Sequence, residues 1–157
     1  MRSRLPCDRP QTLILPPMPY AAAIMGGWWL DRHVLPLKAA VVYGQILALG
    51  FLAAGLGLML GTVWQLYRQR TTINPFSAAS RLCVSGVFRW SRNPIYVGDW
   101  LILIAASLWL ATLWPLLLSP LVWGIIRYGV IRHEEEHLEA KFGGQYRQYK
   151  AEVRRWL

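Results

Sequence analysis

Long apolar runs dominate the chain, and polar turns separate them. The runs cover about residues 13–30, 39–67, 95–113 and 115–131. An α-helix rises about 1.5 Å per residue, so roughly 20 apolar residues cross the ~30 Å hydrocarbon core of a bilayer. We therefore predict an all-α integral membrane helical bundle with four transmembrane helices, formed as a single domain by residues 1–157.

Prolines interrupt the start of the first apolar run. Pro16, Pro17 and Pro19 lie inside it, and it ends in Trp28-Trp29 rather than at a cleavage site for a signal peptidase. These features favour a first span, broken at its beginning, over a secretory signal.

The two polar stretches have different patterns. Residues 68–94 are rich in Arg, Ser, Gly and Pro, which predicts a surface loop. In the carboxyl-terminal segment 132–157, apolar side chains recur at about helical spacing between basic ones, which predicts an amphipathic helix lying at the membrane interface. The recurring apolar residues are Tyr146, Tyr149, Val153 and Trp156.

The distribution of charge predicts the orientation. The net charge is +9, and the basic residues concentrate in the amino terminus, the 68–94 loop and the carboxyl terminus, whereas the other two turns hold little beyond Arg32 and Lys38. By the positive-inside rule, both termini and that loop face the cytoplasm, with a bacterial inner membrane as the predicted location. The basic residues lie at the ends of the apolar runs, as they do in membrane proteins. We therefore expect membrane lipids, and not nucleic acid, as partners.

Two motifs lie beside the last apolar runs. Residues 92–98 read Arg-Asn-Pro-Ile-Tyr-Val-Gly, and the pair Glu134-Glu135 precedes Leu138, Phe142-Gly143, Tyr146 and Tyr149. Over about Thr71 to Trp156 the chain resembles the cofactor half of the isoprenylcysteine carboxyl methyltransferase and phospholipid N-methyltransferase superfamily. The resemblance implies a membrane enzyme that transfers a methyl group from S-adenosylmethionine to a lipophilic acceptor.

The same resemblance implies a set of cofactor-binding residues. Backbone groups at 80–83 would bond the adenine edge, Tyr96 would face the sulfonium, and Glu134 would accept from ribose hydroxyls or from the ammonium group. The implied residues are Ser80, Arg81, Leu82, Cys83, Phe88, Asn93, Pro94, Ile95, Tyr96 and Glu134. The isoprenylcysteine enzymes carry His where Asn93 stands and an acceptor-associated Arg where Val130 stands, so the acceptor differs from theirs or is held differently.

Three charged residues are candidates for acting on the acceptor. Asp99 is a carboxylate one turn inside a predicted span, which by default indicates function. Arg127 and Arg132 are close in sequence to Val130 and are candidate replacements for the missing Arg. The acceptor itself stays open among an isoprenoid carboxylate, a lipid amine and a small thiol, and the oligomeric state is open as well.

Two alternatives compete with methyl transfer. Residues 133–137 read His-Glu-Glu-Glu-His, which fits the H-E-x-x-H pattern of zinc peptidases, but a third ligand is missing because His33 is predicted at the other membrane face. We therefore expect no metal site. A membrane scaffold that keeps the fold without turnover is the second alternative. Cys7 and Cys83 have no partners at metal-ligand spacing, and no disulfide framework is expected.

Overall fold

A computed structural model describes residues 14–38, 42–71 and 81–157. The helices are α1 Pro17–His33, α2 Gly44–Arg68, α3 Pro94–Trp109, α4 Trp114–Ile126, α5 Arg132–Phe142 and α6 Gly144–Glu152, with a 3₁₀ turn at Gly86–Arg89 and a π-helical turn at Arg127–Ile131. The described part of the chain is 76% helical and holds no strand, which confirms the all-α prediction.

Two helices are long and apolar enough to cross a membrane. They are Gly44–Arg68 and the continuous helix Trp114–Phe142, in which the π turn joins α4 to α5. Helix α3 is apolar but shorter. The helix bounds differ from the predicted runs, because Asp31, Arg32 and His33 form the last turn of α1 instead of a connecting turn.

The bundle is built from two helix pairs. Helix α2 packs along α3, and α1 packs along α4, with α3 touching both α1 and α4. A close backbone approach joins α2 to α3 at two glycines: a Cβ on Gly55 would lie 2.8 Å from the carbonyl oxygen of Gly98. Gly57 and Gly61 have the small-xxx-small spacing that often brings helices together, but they do not make this contact. Gly57 faces open space, and Gly61 has only an ordinary contact with Val87.

One end of the bundle is closed by hydrogen bonds around Asp31. This buried carboxylate accepts a 3.0 Å bond from the Thr112 hydroxyl and another from the Leu37 amide, and it pairs with Lys38. Because Thr112 lies in the turn between α3 and α4, these bonds tie that turn to the end of α1. The opposite end carries the 81–93 loop and the carboxyl-terminal helices, where both sequence motifs lie.

The carboxyl-terminal helix α6 does not leave its aromatic face free. Tyr146 and Tyr149 are buried, and the Tyr149 hydroxyl donates a 2.7 Å bond to the Phe88 carbonyl. Helix α6 forms only part of the predicted amphipathic segment 132–157, and protein covers the part of its apolar face that these tyrosines form. Val153 and Trp156 lie beyond its end, and Trp156 packs against the hydrophobic core.

Candidate active site

The two sequence motifs meet at a hydrogen bond between α3 and α5. Tyr96 lies in the first turn of α3, which Pro94 opens at a position that tolerates proline. Its hydroxyl donates a 2.9 Å bond to Oε1 of Glu134. The π turn at Arg127–Ile131 changes the helical phase just before α5, so it sets which face of that helix reaches α3. Tyr96 is 6% exposed, so this bond lies inside the protein.

The second glutamate of the pair binds two arginines. Arg155 forms a bidentate salt bridge with Glu135, at 3.0 Å from Nε to Oε1 and 2.7 Å from Nη2 to Oε2. Arg92 approaches the same carboxylate from the first motif, at 3.2 Å from Nη1 to Oε1. The Arg92 and Glu135 side chains are 10% and 12% exposed. Glu135 is thus a structural hub that holds the first motif to the carboxyl-terminal segment.

Backbone bonds reinforce this attachment. The Arg155 carbonyl accepts bonds from the Asn93 amide at 3.0 Å and from the Ser91 hydroxyl at 3.3 Å. The amide of Arg92 donates to the Arg154 carbonyl at 3.1 Å. Residues 153–157, which we call the carboxyl-terminal strap, therefore bind directly on the first motif. Asn93, predicted as a cofactor ligand, uses its side-chain amide for this contact.

Buried tyrosines line the interior side of this attachment. Burial, with the nearby Glu135 charge, raises the pKa of Tyr146 to about 12, while Arg92 partly opposes the shift. Burial also raises the pKa of Tyr149, with the neighbouring Tyr146 adding to the shift. Both phenols stay protonated at neutral pH, and the Tyr149 hydroxyl uses its proton in the bond to the Phe88 carbonyl.

The loop that precedes the first motif is held by α2 and by its own turn. The Gln65 and Gln69 side-chain amides donate to the Ser85 hydroxyl at 2.7 and 2.6 Å. Gly86 follows with φ +63, and a Cβ there would lie 2.9 Å from the Gln65 side chain, so the position requires glycine. The Arg81 amide and carbonyl both bond the Thr71 hydroxyl.

The implied cofactor residues are only partly described in this loop. Ser80 lies outside the described residues, Arg81 is exposed, and Leu82 and Phe88 are half-buried. Cys83 is buried, and burial raises the pKa of its thiol. Ile95 packs against the hydrophobic core. Among the implied cofactor residues that the structure describes, a side-chain hydrogen bond joins Tyr96 to Glu134.

The acceptor candidates separate into one interior residue and two others. Asp99 lies one turn after Tyr96 and is 6% exposed. Arg127 instead stacks over the rings of Trp123 and Tyr128. Arg132 is mostly exposed and bonds Glu136 one turn along α5 at 2.9 Å. The two arginines thus have partners on their own helix, as expected for cations near a membrane surface.

Residues of the H-E-x-x-H pattern do not form a metal centre in the described chain. His133 is half-exposed and lies 4.0 Å from Glu136. His33 lies in the last turn of α1, at the other end of the bundle, where it stacks on Trp29. Among the described residues, no group of three or more His, Cys, Asp or Glu is placed to hold a metal ion. The zinc peptidase alternative therefore has no support.

Three residues of this region had no role assigned to them by sequence reasoning. Tyr20 reaches the interior from α1, and Arg155 and the second glutamate, Glu135, form the ion-paired hub. The charge and position of Glu135 beside Glu134 offered a signal, because a conspicuous acidic pair needs two partners. Tyr20 offered only a weak signal, a polar-tipped aromatic residue in an apolar run.

Comparisons with known proteins agree with the motifs. A family model described as "Phospholipid methyltransferase" matches residues 43–145. A protein of Haemophilus influenzae, named only as an uncharacterized protein, is 43% identical over 63 residues, which are 40% of this chain and 100% of that protein. No solved structure matches the chain.

Proposed function

Because the chain belongs to the phospholipid methyltransferase family, within the isoprenylcysteine and phospholipid methyltransferase membrane superfamily, we propose that it transfers a methyl group from S-adenosylmethionine to a lipophilic acceptor. The family and the two long apolar helices indicate a membrane methyltransferase. The observation that carries the proposal is the bond between Tyr96 and Glu134, since it joins the two motifs inside the protein.

The side chains present fit the chemical groups of this cofactor. When bound, S-adenosylmethionine supplies a methyl group that its sulfonium already activates. Glu134 offers a carboxylate for ribose hydroxyls or for an ammonium group, and the Tyr96 ring offers an electron-rich face for a cation. The bond from Tyr96 fixes the orientation of that carboxylate before the cofactor arrives, which reduces the cost of binding.

The surrounding protein would exclude water from the reaction. Pro94 and Tyr146 are among the most deeply buried side chains, and the carboxyl-terminal strap covers the motif beside them. Exclusion of water strengthens electrostatic contacts and prevents hydrolysis, so the protein's task is binding and orientation rather than covalent catalysis. Of the three acceptor candidates, we retain Asp99, because Arg127 and Arg132 are engaged on their own helix.

We infer four membrane crossings with the motif end of the bundle in the cytoplasm. Support comes from the many basic residues at that end. The turns at the other end hold few basic residues besides Arg32 and Lys38. Cysteine labelling from outside intact cells tests the topology with introduced thiols at Ser3 and Lys150. Protection of both thiols agrees with it, whereas labelling of one of them from outside contradicts it.

Transfer of a tritiated methyl group tests the function directly. The full chain, purified and placed in vesicles of bacterial lipid extract, should move label from S-adenosylmethionine into the organic-soluble fraction. Glu134→Gln should reduce that transfer, while Glu136→Gln, on the exposed face of α5, should not. Absence of both transfer and cofactor binding in the folded parent would contradict the proposal and favour the scaffold alternative.

A further inference from the structure

Residues 144–157, which we call the carboxyl-terminal arm, consist of α6 and the strap and follow a glycine hinge. Gly143, between α5 and α6, has φ +54 and ψ −118, a backbone conformation that residues with a side chain rarely adopt. A Cβ at Gly143 or Gly144 would meet no atom of another part of the chain within 4 Å, so close packing does not explain either glycine. The pair therefore provides a point about which the arm can turn as a unit.

In this structure the arm is closed over the first motif. The Ser91 hydroxyl and the Asn93 side-chain amide both bond the Arg155 carbonyl. Trp156 packs against the core cluster that contains Tyr96. Because Ser91, Asn93 and Tyr96 are all buried, a cofactor that uses Asn93 and Tyr96 reaches them only after a covering element has moved.

The strap is the covering element best suited to move. Helices α1 to α4 pack along one another, whereas residues 153–157 have no regular secondary structure. The salt bridge of Arg155 with Glu135 holds the strap, and the Arg155 side chain is 30% exposed. The pair of Lys150 with Glu139, which joins α6 to α5, is also half-exposed. Water can therefore replace these partners as they separate, which makes opening of the arm less costly than separation of the helices.

The closed position also leaves a buried charge incompletely satisfied. Nε of Arg92 has no hydrogen-bond partner among the described residues, although only 10% of the side chain is exposed. In addition, Arg92 and Arg155 share the carboxylate of Glu135, so this hub combines two cations with one anion. An unsatisfied buried donor and two neighbouring like charges both raise the free energy of the closed state. The closed and open positions of the arm are therefore closer in free energy than the contacts of the strap alone indicate.

We propose that the carboxyl-terminal arm is a hinged lid of the active site, and that its opening at Gly143 lets S-adenosylmethionine enter and the demethylated product leave. The role in cofactor exchange rests on the function proposed above. The closed lid keeps water away from an activated methyl donor, and the open lid exposes Asn93 and Tyr96. Each turnover then includes one opening of the arm.

Thiol labelling tests the opening without any cofactor. Ser91→Cys places a thiol beneath the strap, in a full chain that also carries Cys7→Ser and Cys83→Ser. Its rate of reaction with a maleimide in detergent micelles reports how often the strap leaves the motif. Arg155→Gln removes the salt bridge of the strap and should raise that rate roughly tenfold, the usual effect of losing one hydrogen bond between charged groups. Arg154→Gln, at the exposed neighbouring side chain, should not change it.

Ser107→Cys is the control for global unfolding, because this buried serine lies at the other end of the bundle, where it bonds the Thr112 carbonyl. Its labelling rate should not respond to Arg155→Gln. Equal labelling of the Ser91→Cys thiol with and without Arg155→Gln would overturn the lid. The same acceleration at Ser107→Cys would overturn it as well, since the whole bundle would then be opening.

A reversible cross-link across the hinge tests the role in cofactor exchange. Glu139 and Lys150 lie 2.9 Å apart and are half-exposed, so Glu139→Cys combined with Lys150→Cys can be joined by a disulfide-containing bismaleimide. Tritiated S-adenosylmethionine bound before cross-linking should stay bound. Cofactor added afterwards should be excluded until a reductant cleaves the link, and either single variant treated in the same way should exchange cofactor normally.

The outcomes separate the lid from the proposed function. Cofactor exchange at the uncross-linked rate in the cross-linked chain would overturn the lid alone. A folded parent that never binds the cofactor would contradict the methyltransferase proposal, and the labelling of Ser91→Cys would still decide whether the arm opens.

Discussion

The Tyr96 hydroxyl and Glu134 carboxylate lie 2.9 Å apart although 38 residues separate them in the sequence. The bond crosses from the first turn of α3 to the polar extension of the last long helix. Its neighbour Glu135 makes the equivalent connection to Arg92 and to the strap. The two glutamates therefore have different roles. Glu134 bonds Tyr96 at the proposed reaction site, and Glu135 ties the first motif to the strap.

Removing Glu135 should destabilise the closed site strongly. Glu135→Ala leaves the buried Arg92 side chain without its carboxylate, and breaking a buried pair in this way costs about 3–5 kcal/mol. We expect a lower unfolding temperature and faster proteolysis of residues 144–157. Glu136→Ala is the matched control, because its pair with Arg132 is exposed and contributes at most about 1 kcal/mol. Equal stability of the two variants would show that the hub does not hold the strap.

The contact of α2 with α3 should depend on Gly55 rather than on Gly57. In Gly55→Ala the new methyl group would lie 2.8 Å from the Gly98 carbonyl, and overpacking of this kind costs about 1–3 kcal/mol. Gly57→Ala adds a methyl group in open space and should be neutral, or stabilising by up to about 1 kcal/mol. Unfolding titrations in mixed detergent micelles measure both. The prediction fails if the Gly57 variant is the less stable of the two.

Alkylation of Cys83 should show a pH dependence displaced to the alkaline side. The thiolate is the reactive form, and burial raises the pKa of this thiol, so less thiolate is present at any given pH than for an ordinary cysteine. In a Cys7→Ser background, the iodoacetamide rate should keep rising beyond pH ~8.5, the unperturbed value. Val84→Cys with Cys83→Ser provides an exposed reference thiol. A midpoint for Cys83 at or below that of the reference contradicts the burial.

The helical architecture was predictable because apolar length and proline or glycine positions are local signals. Helix α3 begins at Pro94, one residue before the predicted run 95–113, and the turn near Thr112 lies close to the boundary between that run and the run 115–131. The family resemblance also named Tyr96 and Glu134 as site residues, because both belong to the two motifs. The path of the chain after each motif was not predictable from local signals, because it depends on contacts between residues distant in sequence.

Three particular outcomes show where local signals end. Gly57 fits a packing pattern, yet the rotation of α2 turns Gly55 toward α3 instead. The rotation of α5 about its axis depends on a π-helical turn at 127–131, which no local pattern in the sequence predicts. The contact of Tyr20 with Trp100 depends on how α1 packs against α3, and a helical pattern in one run does not fix its neighbours.

Calorimetric titration with S-adenosylmethionine and its demethylated product, comparing the parent with Glu134→Gln, tests the proposed cofactor site most directly. Gln keeps the size of Glu134 and can still accept the bond from Tyr96, but it lacks the charge. We expect the parent to bind both compounds and the variant to lose about 1.5–3 kcal/mol of binding free energy. Glu136→Gln should bind as the parent does. Equal affinity of the folded Glu134→Gln variant, or no binding by the folded parent, would contradict this site.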